Sequence, residues 1–277
     1  MSTLLRIAYD GTDYHGYATQ APESKLRTIQ NTLEAALARF YKQPVPTRGA
    51  SRTDAGVHAR GQLVAFDPPF PVPMKGIVLG LASLLPADIR VVAAWQQTNP
   101  NGEPVKPRFG NNGKHYRYRV CTSTLTDPVT RRTQWNLGRP LDVPAITQAL
   151  AHLIGEHDFA SFRTSQCQAK STIRTITQAE IVPGPAPLAW PDDPDPIWQV
   201  GQVFDFHIRG TAFLHKMVRI LVGTLIEVGF GRRTPASIPS LFIDPDRTRA
   251  GLTAPPHGLT LMEVLWPKPG EACLRKR

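Results

Sequence analysis

The stretch Arg48-Gly-Ala-Ser-Arg-Thr-Asp-Ala-Gly-Val-His-Ala-Arg-Gly-Gln62 stands between a segment with helical periodicity and one with strand character. Reading it as a loop sets the order of the elements around it. Upstream, Thr28–Tyr41 places Ile29, Leu33, Ala36, Leu37 and Phe40 at helical spacing, and Pro44 and Pro46 end the helix. Downstream, Gln62–Phe66 predicts a strand stopped by Pro68 and Pro69. Leu4–Tyr9 predicts a first strand, with Asp10-Gly11-Thr12 as its turn. Lys75–Leu85 predicts a second helix stopped by Pro86, and Ile89–Trp95 another strand. The first hundred residues therefore read β-α-β-α-β, with the loop between the first helix and the second strand. The loop holds one carboxylate, Asp54, between Arg52 and His58, and Gly49, Gly56 and Gly61 punctuate it. An acid among cations suits a nucleophile, a base or an anchoring ion pair. It also suits a plain surface loop, and His58 could orient the loop or lie at the surface.

Asn99–Gly113 is rich in Gly, Pro and Asn and reads as a linker. Lys114–Val120 alternates, placing Tyr116 and Tyr118 on one face with Lys114 and Val120, and His115, Arg117 and Arg119 on the other. Tyrosines among cations suit nucleic acid, because bases stack on rings while cations meet phosphates; they equally suit one face of a strand packed on a core. Pro144–Ile154 predicts a helix, and Ser171–Val182 and Trp198–Ile208 predict strands. Between those strands, Pro183–Pro196 carries Asp192, Asp193 and Asp195 and reads as an exposed hairpin loop. Phe213–Phe230 predicts the longest apolar helix, buried nearly all round. Lys216 and Arg219 are out of place there: they reach solvent along their stems, or Arg219 pairs with a buried carboxylate such as Asp54. Gly223 and Gly229 would admit another backbone. Asp158–Lys170 lines an RNA cleft or is an ordinary connection. Gly258–Trp266 predicts a closing strand, with a loose tail after it. The elements sum to an α+β protein with two related layers of helix on sheet, divided into residues 1–107 and 108–277.

The 277 residues fit one large domain or two smaller ones. A formal charge of +10 and a pI of about 9.8 favour polyanionic partners. Three widely spaced cysteines form no C-x-x-C pair, so neither zinc nor a disulfide framework is expected, and Cys167 reads as a small buried hydrophobe. His15, His115, His207, His215 and His257 share no ligand spacing. No Walker A, G-x-G-x-x-G or H-E-x-x-H sequence occurs, so cofactor-free chemistry in the cytoplasm, with no membrane span, is the expectation.

Six segments in order carry a family resemblance: Tyr9-Asp-Gly-Thr; Gly49-Ala-Ser-Arg-Thr-Asp-Ala-Gly-Val-His58; Arg108-Phe with Tyr116-Arg-Tyr118; Asp158-Phe, Ser161-Phe-Arg and Cys167; Phe213 with Met217-Val-Arg-Ile-Leu-Val-Gly223; and Gly258-Leu-Thr-Leu. In these the chain resembles the TruA family of tRNA pseudouridine synthases. The resemblance implies a homodimer that isomerises uridine at tRNA positions 38, 39 and 40 in the anticodon stem-loop, without metal or cofactor. It implies two ferredoxin-like halves forming a mixed, mainly antiparallel central sheet with flanking helices and a cleft between them. By the same resemblance Asp54 is the catalytic residue, Tyr116 packs on the target base, Arg219 pairs with Asp54, and Arg52 helps displace the base. Tyr14-His-Gly-Tyr17 departs from the family's usual Tyr-Gly-Trp, so one base-side or tRNA-side contact would differ. The acidic 183–196 loop would point away from tRNA, whose phosphates it would repel. A non-catalytic RNA-binding module and a metal-dependent nuclease using Asp54 are the rival readings.

Overall fold

The computed structural model describes residues 1–20, 26–99, 101–185 and 201–267. Asp192, Asp193 and Asp195, the rest of the predicted acidic loop beyond residue 185, Cys273 and the tail from residue 268 lie outside the described residues. The chain divides into two compact units, one of Met1–Lys114 with the segment from Thr260 onward, the other His115–Leu259.

In the first unit, β1 (Ser2–Tyr9) runs antiparallel to β3 (His58–Phe66) and to β4 (Ile89–Gln97). Thr3 lies opposite Phe66, and Ser2 opposite Gln97. The two-residue β2 (Arg48–Gly49) pairs with β3, and β10 (Leu259–Leu265) pairs with β3 in parallel at His58 and Ala59. The central strands are apolar toward both sides: Leu4, Leu5 and Ile7 on β1 and Leu63 to Phe66 on β3 are all buried. Helix α1 (Ile29–Tyr41) starts where the Thr28 side chain accepts the Asn31 N–H, and ends at Lys42, whose φ of 60° leaves the helical region. It buries Ile29, Leu33, Ala36, Leu37 and Tyr41. Helix α2 (Met74–Leu84) packs on β4 and on α1. The segment read as a linker is pinned. Arg48 donates through Nε to the Val105 carbonyl at 2.9 Å, and buried Asn111 donates to the Pro107 and Arg108 carbonyls.

The second unit has β5 (Gly113–Cys121) beside β9 (Val203–Gly210), then β8 (Ile173–Pro183) and β7 (Gly155–Asp158). Strands β7, β8 and β9 pair antiparallel, and the short β6 (Trp135–Asn136) lies parallel to β5. Helix α3 (Val143–Ala151) is capped by Asp142 accepting the Ala145 N–H. It stops three residues before the expected end because Gly155, at φ 112°, turns the chain into β7. Helix α4 (Met217–Gly229) begins four residues later than its apolar run suggests. Lys216 adopts a left-handed φ of 61°, which no helix interior accepts, so Lys216 precedes the helix. All but Arg219 and Glu227 on α4 are buried. Strand β7 and the short helix α5 (Ser240–Ile243) have no periodicity that would announce them. Both units are α+β, with mainly antiparallel strands and two longer helices each. No helix among the described residues is long and apolar enough to cross a membrane.

Gly223 faces the Leu252 carbonyl so closely that a Cβ would collide with it. Gly223→Ala is expected to cost about 1–3 kcal/mol of overpacking. That would lower Tm by roughly 2–10 °C. An unchanged Tm would show that the 250–255 segment yields freely.

Candidate active site

The Asp54 loop is anchored at both ends before it reaches Asp54. At its entrance the Ala50 N–H donates to the Leu63 carbonyl at 2.8 Å. The fully buried Gln62 side chain then clamps Ser51, donating to its carbonyl at 2.6 Å and accepting its N–H at 3.2 Å. Thr53 is 7% exposed and is held twice: its hydroxyl meets the Tyr9 hydroxyl at 2.8 Å, and its carbonyl accepts the Tyr17 N–H at 3.1 Å. Beyond Asp54, the Gly56 N–H donates to the Tyr14 carbonyl and the Val57 N–H to the Asp54 carbonyl, both at 3.2 Å. Gly56 has φ 75°, a turn conformation that a Cβ would strain. The Asp54 side chain is thus presented half-buried from a fixed backbone, while Arg52 is exposed.

Residues 10–17 form the support beneath this loop. A Cβ on Gly16, at φ 92°, would lie 2.7 Å from the Thr53 carbonyl, and one on Gly49 would enter the Tyr17 ring. Tyr14 and Tyr17 are both buried. Tyr14 donates to Asp88 at 2.6 Å and lies under the Arg27 guanidinium, 4.2 Å from ring centroid to Cζ. Burial, and then the Asp88 carboxylate, push its hydroxyl above the ordinary tyrosine range. The residues at the Tyr14–Tyr17 departure thus pack beneath the loop.

His58 is 5% exposed, which excludes a surface position. Its Nδ1 lies 3.1 Å from the Gly11 N–H and 3.1 Å from Asp10 Oδ1. The two contacts compete, since a nitrogen accepting the Gly11 proton has none to give Asp10. The Gly11 donor is fixed by the backbone, and Asp10 Oδ1 already accepts the Thr12 N–H and hydroxyl at 3.0 and 2.6 Å. His58 is best described as a pin that joins the loop exit to the turn after β1.

The other two expected site residues belong to the second unit. Tyr116 is 6% exposed and sits edge-on to Phe213, centroids 5.1 Å apart. Tyr118, on the same face of β5, is core: its hydroxyl donates to the Pro255 carbonyl at 2.7 Å. Arg219, in the first turn of α4, is half-buried and anchored through Nε to the Ala254 carbonyl at 2.8 Å. The Ala254 N–H returns a bond to the Arg219 carbonyl at 3.1 Å. This anchor aims the guanidinium, which a side chain merely reaching for solvent would not need. The 158–170 segment is partly an internal brace. Phe159 and Phe162 are buried against Phe242, and the Ser161 hydroxyl donates to the Leu241 carbonyl at 2.7 Å. Thr164 bonds His215 at 2.8 Å. Cys167 is half-buried rather than a core residue. Among the described residues no group of three His, Cys, Asp or Glu side chains could hold a metal ion.

A family model described as tRNA pseudouridine synthase matches residues 6–99 and 149–267. The chain belongs to the tRNA pseudouridine synthase family. It is 43% identical over 262 residues to a Myxococcus xanthus protein named tRNA pseudouridine synthase A, covering 95% of this chain and 91% of that one. A relative of the same name from Geobacter sulfurreducens is 42% identical over 260 residues, covering 94% and 97%. One from Leuconostoc citreum is 41% identical over 263 residues, covering 93% and 94%. The family match includes the Asp54 loop and Arg219 but not residues 100–148, so Tyr116 rests on its own short motif.

No local pattern in the sequence marks Tyr9, Thr53 and Gln62 as the residues that hold the Asp54 loop. The nearest to one is Gln62 itself, a glutamine at the head of an apolar strand. If His58 Nδ1 is the acceptor, His58→Ala leaves a buried donor unpaired, at a cost of about 1–3 kcal/mol. Hydrogen exchange at the Gly11 amide should then accelerate and Tm fall; wild-type exchange at that amide would refute the pin.

Proposed function

We propose that this protein isomerises uridine to pseudouridine at positions 38, 39 and 40 of tRNA, acting as a cytoplasmic homodimer without metal or organic cofactor. The observation that carries the reading is the family match across the Asp54 loop, with Asp54 presented half-buried from a doubly anchored backbone. The net charge of +10 supports a polyanionic substrate.

In this isomerisation the N1–C1′ bond breaks, the base turns, and C5 bonds to C1′. C5 gives up its proton to solvent and N1 gains one, so no oxidant or reductant enters. The Asp54 carboxylate can act as a nucleophile on C1′ or on the base, or as a base on the ribose 2′ proton. A stacked base must first leave its stack, at about a few kcal/mol. In the proposed roles Arg52, exposed on the loop, helps displace it, and Tyr116 supplies an aromatic surface for the flipped uracil. Arg219, aimed by its bond to Ala254, pairs with the Asp54 carboxylate.

Asp54→Asn should abolish tritium release from tRNA labelled at uridine C5 while tRNA binding persists; release at the wild-type rate would sink the assignment. Arg219→Leu should lower turnover by about 10²-fold or more, as loss of a placed charge does. Wild-type kinetics there would refute the pairing. Release from transcripts altered singly at 38, 39 and 40 reads out site choice, and a chain that only binds RNA would release none.

A further inference from the structure

We propose that His115, His207 and Arg209 form a binding site for a phosphate group of the RNA backbone, on the sheet face opposite Tyr116, and that filling it takes up one proton. This rests on the reading of the chain as a tRNA-binding enzyme.

Alternation along β5 turns His115, Arg117 and Arg119 away from the face that carries Tyr116 and Tyr118. Strand β9 lies beside β5 and alternates likewise, burying Phe204, Phe206 and Ile208 and leaving Asp205, His207 and Arg209 on the other side. On β8, Glu180 is opposite His207 and Gln178 opposite Arg209. The carboxylates on this face are engaged. Asp205 receives a bidentate fork from Arg119, both bonds 2.7 Å, with Arg117 Nε 3.9 Å away, and Glu180 accepts from Gln178 at 2.8 Å. Among the described residues of β5, β8 and β9, three arginines thus face two carboxylates, an excess of one positive charge suited to a phosphodiester, with Glu156 further out on β7. Among the described residues, Arg209 Nε is buried without a hydrogen-bond partner. A buried guanidinium donor lacking an acceptor is the kind of group an anion satisfies.

The imidazoles fix the proton count. His115 Nε2 lies 2.8 Å from His207 Nδ1, a distance that needs one bridging proton. In the neutral pair, one of the two outer nitrogens, His115 Nδ1 or His207 Nε2, carries a proton and the other does not. One added proton from solvent leaves the bridge intact and makes both outer nitrogens donors. A second would put hydrogen against hydrogen and break the bridge. Without an anion His115 resists a proton: burial first, then Arg209, His207 and Arg117, hold it down at about 4. A bound phosphate opposes all of the charge contributions.

Binding of unmodified tRNA transcript at fixed ionic strength, from pH 7.5 down to 5.5, tests this. A phosphodiester does not titrate in that range, so the pair's proton uptake should appear as affinity rising by up to about tenfold per pH unit. Full-length His115→Gln/His207→Gln, checked for wild-type Tm, should lose most of that slope, and Arg209→Gln should weaken binding and reduce the salt slope by about one. Sulfate titration followed by imidazole ¹⁵N spectra should move the wild-type pair toward the imidazolium pattern. An unaltered pH slope in the double variant overturns the site. So does a variant that loses its oligomeric state with tRNA affinity unchanged, which would give this face to a second copy of the chain. Tritium release from the same preparations is scored separately, so loss of the proposed activity and loss of this site are distinguishable.

Discussion

The placement of Asp54 depends on how Thr53 is held. One residue before the carboxylate, the backbone carbonyl is taken by Tyr17 and the hydroxyl by Tyr9. Both partners come from the first strand and the turn after it, so the position of a loop near residue 54 is set by residues 9–17. A carboxylate used as a nucleophile gains most from being fixed at attack distance before substrate arrives. Gln62 and His58 serve the same end from the other side, one clamping Ser51 and the other holding the Gly11 amide. Each of these hydrogen bonds is of modest net worth, about 1 kcal/mol. Together they remove the freedom that Gly49, Gly56 and Gly61 would otherwise give the loop.

The second unit solves a different problem, that of a cation on an apolar helix. Arg219 sits among buried neighbours on α4, and the reciprocal bonds with Ala254 satisfy part of its donor set there. Gly223 makes this feasible by letting the 250–255 segment lie against the helix. Tyr118, bonded to Pro255, fastens the same segment to β5. The backbone at Ala254–Pro255 thus links the strand that carries Tyr116 to the helix that carries Arg219.

Much of this was legible from residue order. The helix at Ile29–Tyr41 follows from its apolar spacing and its Thr28 cap, and the opposed faces of β5 follow from simple alternation. The loop between α1 and β3 follows from its glycines and charges. What could not be read were features fixed by partners distant in sequence. Strand β7 has no apolar alternation and exists through its pairing with β8. The start of α4 is set by the left-handed Lys216, and local propensity gives a lysine no reason to turn there. Gln62 and His58 each look like surface residues until their partners at Ser51 and Gly11 are in place. The acid in the loop was visible; its bracing was not.

Strand β10 meets β3 in parallel at His58 and Ala59, the point where the Asp54 loop ends. That pairing closes over a separation of some two hundred residues, with all of the second unit synthesised in between. A ribosome-bound chain that has already made the loop, its turn and its clamp has the loop's exit strand paired with β1 but still open on its other edge there. The bracing of Asp54 lies within the first seventy residues, whereas the second edge of its exit strand closes only after the Gly258–Leu265 segment has left the exit tunnel.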